Sequence, residues 1–182
     1  FSLFDAKHQY AAQSGLIGEA LPNHKTVFSA APGSRELAAD ANSVELRLEA
    51  PAVDGVMVTK IYTFNRGSYL INVATEIDNG SQKEIAAHAY YQLQRDTTAP
   101  AGESRMVSTY TGPAAYTEQG KYQKINFKDI EKGSAKFVEK SDNGWMAMVQ
   151  HYFVSAWIPQ EKQAREFFVR KLEGGANPAV TA

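Results

Sequence analysis

Imidazole groups for proton transfer or metal binding could come from four histidines in this chain, which are His8, His24, His88 and His151. No two of them are spaced i, i+2 or i, i+4, so the local patterns that bring two imidazoles to one metal ion are absent from the sequence. A lone histidine on a strand more often lies at the surface or in a satisfied core position than in a metal site. The sequence therefore predicts no metal site and no cofactor.

Glycosidase chemistry needs two carboxylates on opposite sides of a cleft. The candidate acids are Glu76, Asp78, Glu118, Asp129 and Glu131. Nothing in the sequence brings two of them together. The chain has no cysteine, and it contains neither a Gly-x-Ser-x-Gly elbow nor a phosphate-binding glycine loop. These observations predict a protein that is not an enzyme.

A row of polar and aromatic side chains is the best candidate for a binding groove. His88, Tyr90, Gln92 and Gln94 alternate along a predicted strand, so their side chains share one face. Aromatic rings beside amide groups suit a sugar or an extended peptide. An ordinary half-exposed sheet face is the alternative interpretation.

Four further aromatic residues are candidates for binding. Tyr116 and Tyr122 lie in and beside residues 112–120, which the sequence predicts to be a loop, so we expect both rings to be exposed near the groove. Trp145 and Trp157 have the residue type of binding hot spots. Because they lie in an apolar run, we expect both tryptophans to belong to the core.

The elements that position these residues are organised around residues 144–159, the most apolar window of the chain. Apolar residues align there with a period of two and also with a period of 3.6, so periodicity alone leaves strand and helix open. The turn signal at residues 142–144, the stop at Pro159 and the many β-forming residues favour strands. We predict two strands with a bend near residues 150–152, an inner pair between two β-layers.

Three alternating runs predict an antiparallel meander. Residues 44–48, 56–64 and 69–77 alternate apolar and polar side chains, and short turns that contain glycine join them. About nine strands at roughly 8–12-residue spacing, without a long amphipathic helix, are typical of a sandwich. The sequence therefore predicts a single all-β domain over residues 1–182, an antiparallel β-sandwich with few short helical turns.

Composition excludes several other classes of protein. The 182 residues are 43% hydrophobic and 21% charged, which is ordinary for a globular domain. A net charge of −1 and a pI of about 6.5 lack the basic surface of a nucleic-acid binder. No window approaches the ~18 consecutive apolar residues of a membrane-spanning helix. The start at Phe1 and the bland final residues are typical of a piece excised from a longer protein.

Three segments carry a family resemblance. Residues 144–159 read Gly-Trp-Met-Ala-Met-Val-Gln-His-Tyr-Phe-Val-Ser-Ala-Trp-Ile-Pro, residues 112–116 read Gly-Pro-Ala-Ala-Tyr, and residues 64–69 read Phe-Asn-Arg-Gly-Ser-Tyr. In this order they resemble segments in the large periplasmic domain of YidC, the membrane protein insertase of Gram-negative bacteria (YidC/Oxa/Alb family). The long match is the specific one, and its motif core is Gly144, Trp145, Tyr152, Phe153, Trp157 and Pro159.

The resemblance implies a β-supersandwich, two large antiparallel sheets face to face, related in shape to mutarotase and carbohydrate-binding folds. It also implies a location at the periplasmic face of the inner membrane, in a parent protein that assists insertion and folding of membrane proteins with or without the Sec translocon. The implied partners are nascent membrane proteins and Sec accessory subunits, without nucleotide or metal. The family's insertion groove lies in transmembrane segments outside this chain, so no residue of that groove is carried over.

Two other functions stay open from the sequence. A sugar-binding or mutarotase-like sandwich would place His88 or His151 opposite a carboxylate in a cleft, where the pair would move protons. A purely structural spacer would bind nothing in the groove.

Overall fold

The computed structural model describes residues 9–98, 109–172 and 179–181. Within these ranges nearly all of the regular secondary structure is β-strand, and the all-β class predicted from the sequence is confirmed. The one described helix, α1 (Phe127–Glu131), is five residues long. Across the described ranges, no helix has the length and apolar character needed to cross a membrane.

The strands form four sheets in the described part of the chain. In chain order they are β1 (Tyr10–Ile17), β2 (Ser29–Ala30), β3 (Ser43–Glu49), β4 (Val56–Asn65), β5 (Ile71–Asn79), β6 (His88–Asp96), β7 (Thr111–Thr117), β8 (Lys121–Lys124), β9 (Lys140–Ser141), β10 (Trp145–Gln150), β11 (Phe153–Trp157), β12 (Arg165–Glu166), β13 (Arg170–Leu172) and β14 (Ala179–Thr181). Three sheets have four strands, in the orders β1-β6-β14-β13, β11-β10-β7-β8 and β2-β3-β4-β5. The fourth sheet pairs β9 with β12.

The chain divides into two compact units. Residues 14–90 form the first, which we call the meander unit. The described residues of 9–13 and 91–181 form the second, which we call the hairpin unit. The boundaries lie within β1 and β6, and the single domain expected over residues 1–182 stays a prediction.

The meander unit confirms the three alternating runs as β3, β4 and β5. Strand β4 lies between the other two and pairs with both in antiparallel register. Its residue Val58 is buried with Leu16 of β1 and Ala50 in a small apolar core. On the other face, the ion pair between Arg47 and Glu76 flanks Ile61, which is buried. Alternation along β4 thus places Val58 and Lys60 on the face of the small core and Ile61 on the face covered by the ion pair.

The hairpin unit confirms the two strands and the bend expected in residues 144–159. β10 and β11 pair from Met146–Trp157 to Gln150–Phe153, and residues 151–152 form the turn. Met146 and Met148 of β10 are buried in the core of this unit.

The expectation of an inner strand pair holds for β10 and is wrong for β11. β10 lies between β7 and β11, whereas β11 is the terminal strand of its sheet. Tyr152 is 86% exposed and Phe153 is 68% exposed, so these two motif residues are not buried core. Apolar side chains on both faces predicted burial between two layers, but Phe153 and Val154, which point to opposite faces of β11, are both largely exposed.

The predicted loop over residues 112–120 is also wrong, because most of it is the buried strand β7. Ala114 and Ala115 are fully buried between β8 and β10. The Gly112-Pro113 pair is typical of a turn, yet here Pro113 lies inside a strand. Pro113 has no backbone N–H to donate to Ile125, which directly follows β8. The hydroxyl of Tyr110 donates to the carbonyl oxygen of Ile125 instead, at 2.9 Å.

Candidate functional site

The predicted row of four polar side chains lies on β6, and the boundary between the two units runs through it. His88 and Tyr90 belong to the meander unit, whereas Gln92 and Gln94 belong to the hairpin unit. Gln92 is buried, and its amide donates a hydrogen bond to the side chain of Gln13. His88 is exposed and Gln94 is half-buried. Binding at this row stays a prediction.

Tyr90 is held in place by residues that sequence reasoning did not connect with it. The backbone N–H of His24 donates to the Tyr90 hydroxyl at 3.0 Å, and the Nδ1 atom of His24 lies 2.6 Å from the same oxygen. A Cβ at Gly15 would lie 2.7 Å from the ring of Tyr90, so only glycine leaves room for it. The Tyr90 side chain therefore closes a local contact and is not free to rotate onto a ligand.

Tyr116 and Tyr122 come together with Trp145 on one face of the hairpin unit. Tyr116 pairs with Trp145 of β10 on one side and with Tyr122 of β8 on the other. The ring centroids of Tyr116 and Trp145 are 5.8 Å apart at 15°, and those of Tyr122 and Trp145 are 6.2 Å apart. Tyr122 is 47% exposed, and the other two rings are half-buried. The cluster is a cross-strand aromatic ladder.

Arg165 fixes the two ends of the β10–β11 hairpin, and no sequence pattern pointed to it. Its guanidinium donates hydrogen bonds to the backbone carbonyls of Asp142, Gly144, Pro159, Gln160 and Gln163. The distances from Nη1 to the carbonyl oxygens of Gly144 and Pro159 are 3.0 and 3.2 Å. Since Gly144 precedes β10 and Pro159 follows β11, this single side chain holds the hairpin closed.

A second arginine, Arg95, is buried beside Asp96 at the end of β6. Its Nε donates to Gln150 of β10 at 3.1 Å, and its Nη2 donates to the carbonyl of Thr98 at 3.1 Å. Burial alone would raise the pKa of the Asp96 carboxyl, but hydrogen bonds from Thr98 and Gln9 and the charge of Arg95 hold that pKa below its usual value. The pair connects β6 to β10 and holds the backbone of Thr98.

No contact among the described residues supports the acid–base pair of a sugar-active protein. In the ranges that the structure covers, neither His88 nor His151 makes a hydrogen bond or ion pair with a carboxylate, and the two ion pairs found there are Arg47–Glu76 and Lys140–Glu166. His151 lies exposed in the β10–β11 turn. Those same ranges contain no group of three or more His, Cys, Asp or Glu residues placed to hold a metal.

Two sheet edges are the features that the site prediction missed. β5 ends the sheet β2-β3-β4-β5, and its nine residues pair with β4 without a bulge. It contains no lysine, arginine or proline, and its charged residues are Glu76, which pairs with Arg47, and Asp78 near its end. Ile71 and Ile77 are 48% and 38% exposed, and Leu70 beside them is 56% exposed.

β11 is the second unprotected edge, in the hairpin unit. It has no charged residue, and Val154 is 66% exposed. β8, at the other end of the same sheet, differs because it is four residues long and carries Lys121 and Lys124. Short length and lysine protect β8 against strand addition. An uncharged alternating run at the end of a sheet is the signal that could have found β11, but only once the strand order was known. β5 carries Glu76 and Asp78 and lacks that signal.

The fold and its exposed features define an all-β module of antiparallel sheets with open strand edges. The chain belongs to the YidC periplasmic domain family, whose family model matches residues 1–182. This membership confirms the resemblance found in the sequence.

Among curated relatives, membrane protein insertase YidC of Dechloromonas aromatica is 59% identical over 174 residues, 96% of this chain and 32% of that protein. The insertases of Aromatoleum aromaticum and Nitrosospira multiformis are 54% and 52% identical, over 94% and 92% of this chain and 32% and 30% of those proteins. The chain thus spans about a third of the length of the curated relatives it matches.

Proposed function

We propose that this chain is a non-enzymatic docking domain of a membrane protein insertase at the periplasmic face of the inner membrane. Its task is to hold extended segments of membrane proteins while the parent protein inserts and folds them. The insertase names of the relatives support the parent activity. The observation that carries the docking role is the unprotected edge of β5.

The backbone of β5 offers hydrogen bonds to an added strand. The N–H of Gly80 donates to the carbonyl of Gly55 at 3.0 Å, so the backbone of Gly80 points towards the β4 side. Because backbone groups alternate along an antiparallel strand and the register is unbroken, the N–H and C=O groups of Val73 and Thr75 point away from β4. An extended segment laid beside β5 would satisfy them by β-augmentation.

One face of β5 carries apolar side chains, which favour binding of an apolar segment. Ile71, Val73 and Ile77 share that face, while Glu76 on the other face is already paired with Arg47. A strand whose apolar residues alternate would therefore add apolar contacts beside Ile71 and Ile77. A membrane-protein segment that has not yet folded into a helix has this apolar character.

Site-specific cross-linking in the complete insertase tests the proposal. A photoreactive amino acid replaces Ile71 at the β5 edge or, as the control, Lys124 at the protected β8 edge. We expect inserting membrane proteins to cross-link from position 71 and not from position 124. Cross-links to a Sec accessory subunit alone would assign the edge to translocon docking and overturn the client role, as would equal client yields at the two positions.

Two substitutions separate edge binding from simple exposure. Thr75→Pro removes an outward N–H without breaking the β4–β5 ladder, and Thr75→Lys adds a charge to the edge. We expect both variants to lower client cross-linking from position 71 several-fold while the domain stays folded. Asn72→Ala, on the other face of β5, is the matched control. Cross-linking that survives in both Thr75 variants would show that clients do not add to this edge.

A further inference from the structure

We propose that β11 pairs with β11 of a second copy of this chain, antiparallel about a two-fold axis at Ser155. The pairing would join two copies of the sheet β11-β10-β7-β8 into one continuous sheet. It uses the hairpin unit, whereas the docking role proposed above uses β5 in the meander unit. The two proposals therefore stand or fall separately.

Among the described residues, no strand pairs with the outer edge of β11. β11 is the last strand of its sheet, and β10 is its neighbour on the inner side. Val154 is 66% exposed, and Tyr152 and Ile158, on either side of the strand, are 86% and 61% exposed. An exposed apolar edge strand without charge or proline is a template for a further strand.

The turn between β10 and β11 determines which backbone groups face outwards. Gln150 and Phe153 close a two-residue turn, and in such hairpins the closing pair exchanges both of its backbone hydrogen bonds. Backbone groups of Phe153, Ser155 and Trp157 consequently point towards β10. Those of Val154 and Ala156 point outwards, where the described part of the chain provides no partner strand.

The outward backbone groups of Val154 and Ala156 can form hydrogen bonds with the same groups of a second β11 strand. With the two-fold axis at Ser155, Val154 of one copy lies opposite Ala156 of the other, and each such pair can exchange both backbone hydrogen bonds. Ser155 then lies opposite itself in a non-hydrogen-bonded pair, where the two Cα atoms are roughly 4.5 Å apart. The small side chains of Ser155 and Ala156 allow this close approach. A two-fold axis makes every contact twice, as in most protein dimers.

Charge favours a second copy over a charged partner strand. Residues 144–159 contain no Asp, Glu, Lys or Arg. A charged side chain brought against Val154 and Ala156 would lose water and find no opposite charge. A second β11 brings only apolar and small side chains to the same positions, so the pairing buries no charge.

The absence of cysteine in the chain allows a direct test of the register. In the full 182-residue chain, Ser155→Cys places two thiols opposite each other, within the roughly 4.4–6.8 Å between Cα atoms that a disulfide spans. In Ala156→Cys the two thiols are displaced by two residues along the strands, and their Cα atoms lie beyond about 7 Å. We expect mild oxidation to give a cross-linked dimer from Ser155→Cys and little from Ala156→Cys.

Sedimentation equilibrium of the unmodified chain provides the second measurement. We expect a monomer–dimer equilibrium that Val154→Lys shifts to monomer at least tenfold, with the far-ultraviolet circular dichroism of the chain unchanged. Val27→Lys, which changes an 81% exposed valine of the meander unit, is the matched control and should leave the equilibrium as it is. A monomer at every concentration, or equal cross-linking of the two cysteine variants, would overturn the proposal.

Discussion

Gly144 approaches the backbone of Tyr116 so closely that a Cβ at position 144 would overlap the Tyr116 carbonyl oxygen. The same Cβ would lie 2.9 Å from the carbonyl carbon of Tyr116 and 3.1 Å from the Cα of Thr117. Gly144 also has a φ of +92°, a region that side chains with a Cβ rarely adopt. The glycine that begins the family motif thus lets β10 start directly against β7.

Gly144→Ala is expected to destabilise the chain by about 3 kcal/mol or more, since backbone overlap adds to the strain of the positive φ. Gly133→Ala is the matched control: Gly133 also has a positive φ, +65°, but a Cβ there meets nothing within 4 Å. We expect the control to cost only about 1 kcal/mol. Urea unfolding of both variants measures the difference, and equal losses would show that the contact with Tyr116 is unimportant.

Tyr110→Phe should lower the free energy of unfolding by about 1–3 kcal/mol. The Tyr110 hydroxyl donates a hydrogen bond to the carbonyl of Ile125 and accepts one from its N–H, beside Pro113. Tyr69→Phe removes a hydroxyl from a fully exposed ring and should have no effect on the free energy of unfolding. Thermal unfolding at neutral pH compares the two variants. A Tyr110→Phe variant as stable as the control would contradict this role.

The pH dependence of Tyr110 gives a separate prediction. Burial raises the pKa of the Tyr110 hydroxyl to about 12, from about 10 in an unfolded chain. Between these values the folded state holds more protons, so the stability that Tyr110 contributes is present below pH ~10 and is lost as the pH rises towards ~12. The stability difference between the wild type and Tyr110→Phe should shrink over this range. A difference that stays constant would contradict the raised pKa.

Lys60 should make the meander unit more stable as the pH rises. Its Nζ donates to the carbonyl of Ser14 at 2.6 Å and lies over the ring of Phe28, and burial lowers the pKa of the ammonium group. The unfolded state therefore binds more protons between the lowered pKa and about 10.5, so stability increases with pH across that window.

The variant Lys60→Met lacks this group, so the wild type should gain stability relative to it as the pH is raised towards about 10.5. Lys25→Met, at an exposed lysine of the same unit, gives the baseline. Urea unfolding at several pH values measures the change. Parallel curves for Lys60→Met and the wild type would mean that burial does not alter the titration of Lys60.

Arg165→Lys is expected to loosen both ends of the β10–β11 hairpin. A lysine has three donors on a flexible stem and cannot reproduce the fork that reaches the carbonyls of Gly144 and Pro159. We expect a loss of about 2 kcal/mol and faster hydrogen exchange at residues 142–146. Arg170→Lys, at an exposed arginine of β13, is the control and should leave exchange at these amides unchanged.

Local sequence patterns were sufficient to predict much of the fold. Alternation located β3, β4 and β5, and the turn signals around residues 144–159 predicted a strand pair there, because side-chain period and turn chemistry are properties of neighbouring residues. The same argument failed for β7. Its Gly-Pro start is typical of a turn, and only the hydroxyl of Tyr110, beside the strand, compensates for the proline.

The candidate site depended on information that the sequence lacks. The row on β6 was correctly placed on one strand. Its contacts could not be predicted, because Gln92 binds Gln13 and Tyr90 binds His24, and each pair is more than sixty positions apart in the sequence. The cluster of Tyr116, Tyr122 and Trp145 could not be predicted without the pairing of β7 with both β8 and β10. Contacts between distant strands have no counterpart in local periodicity.

The sequence by itself determined that this chain is built of antiparallel strands and belongs to the YidC periplasmic domain family. Only the tertiary structure decided that β5 and β11 are the terminal strands of their sheets in the described part of the chain. The physical reason is that a strand's own residues set its two faces, whereas its two edges are set by which distant strands lie beside it.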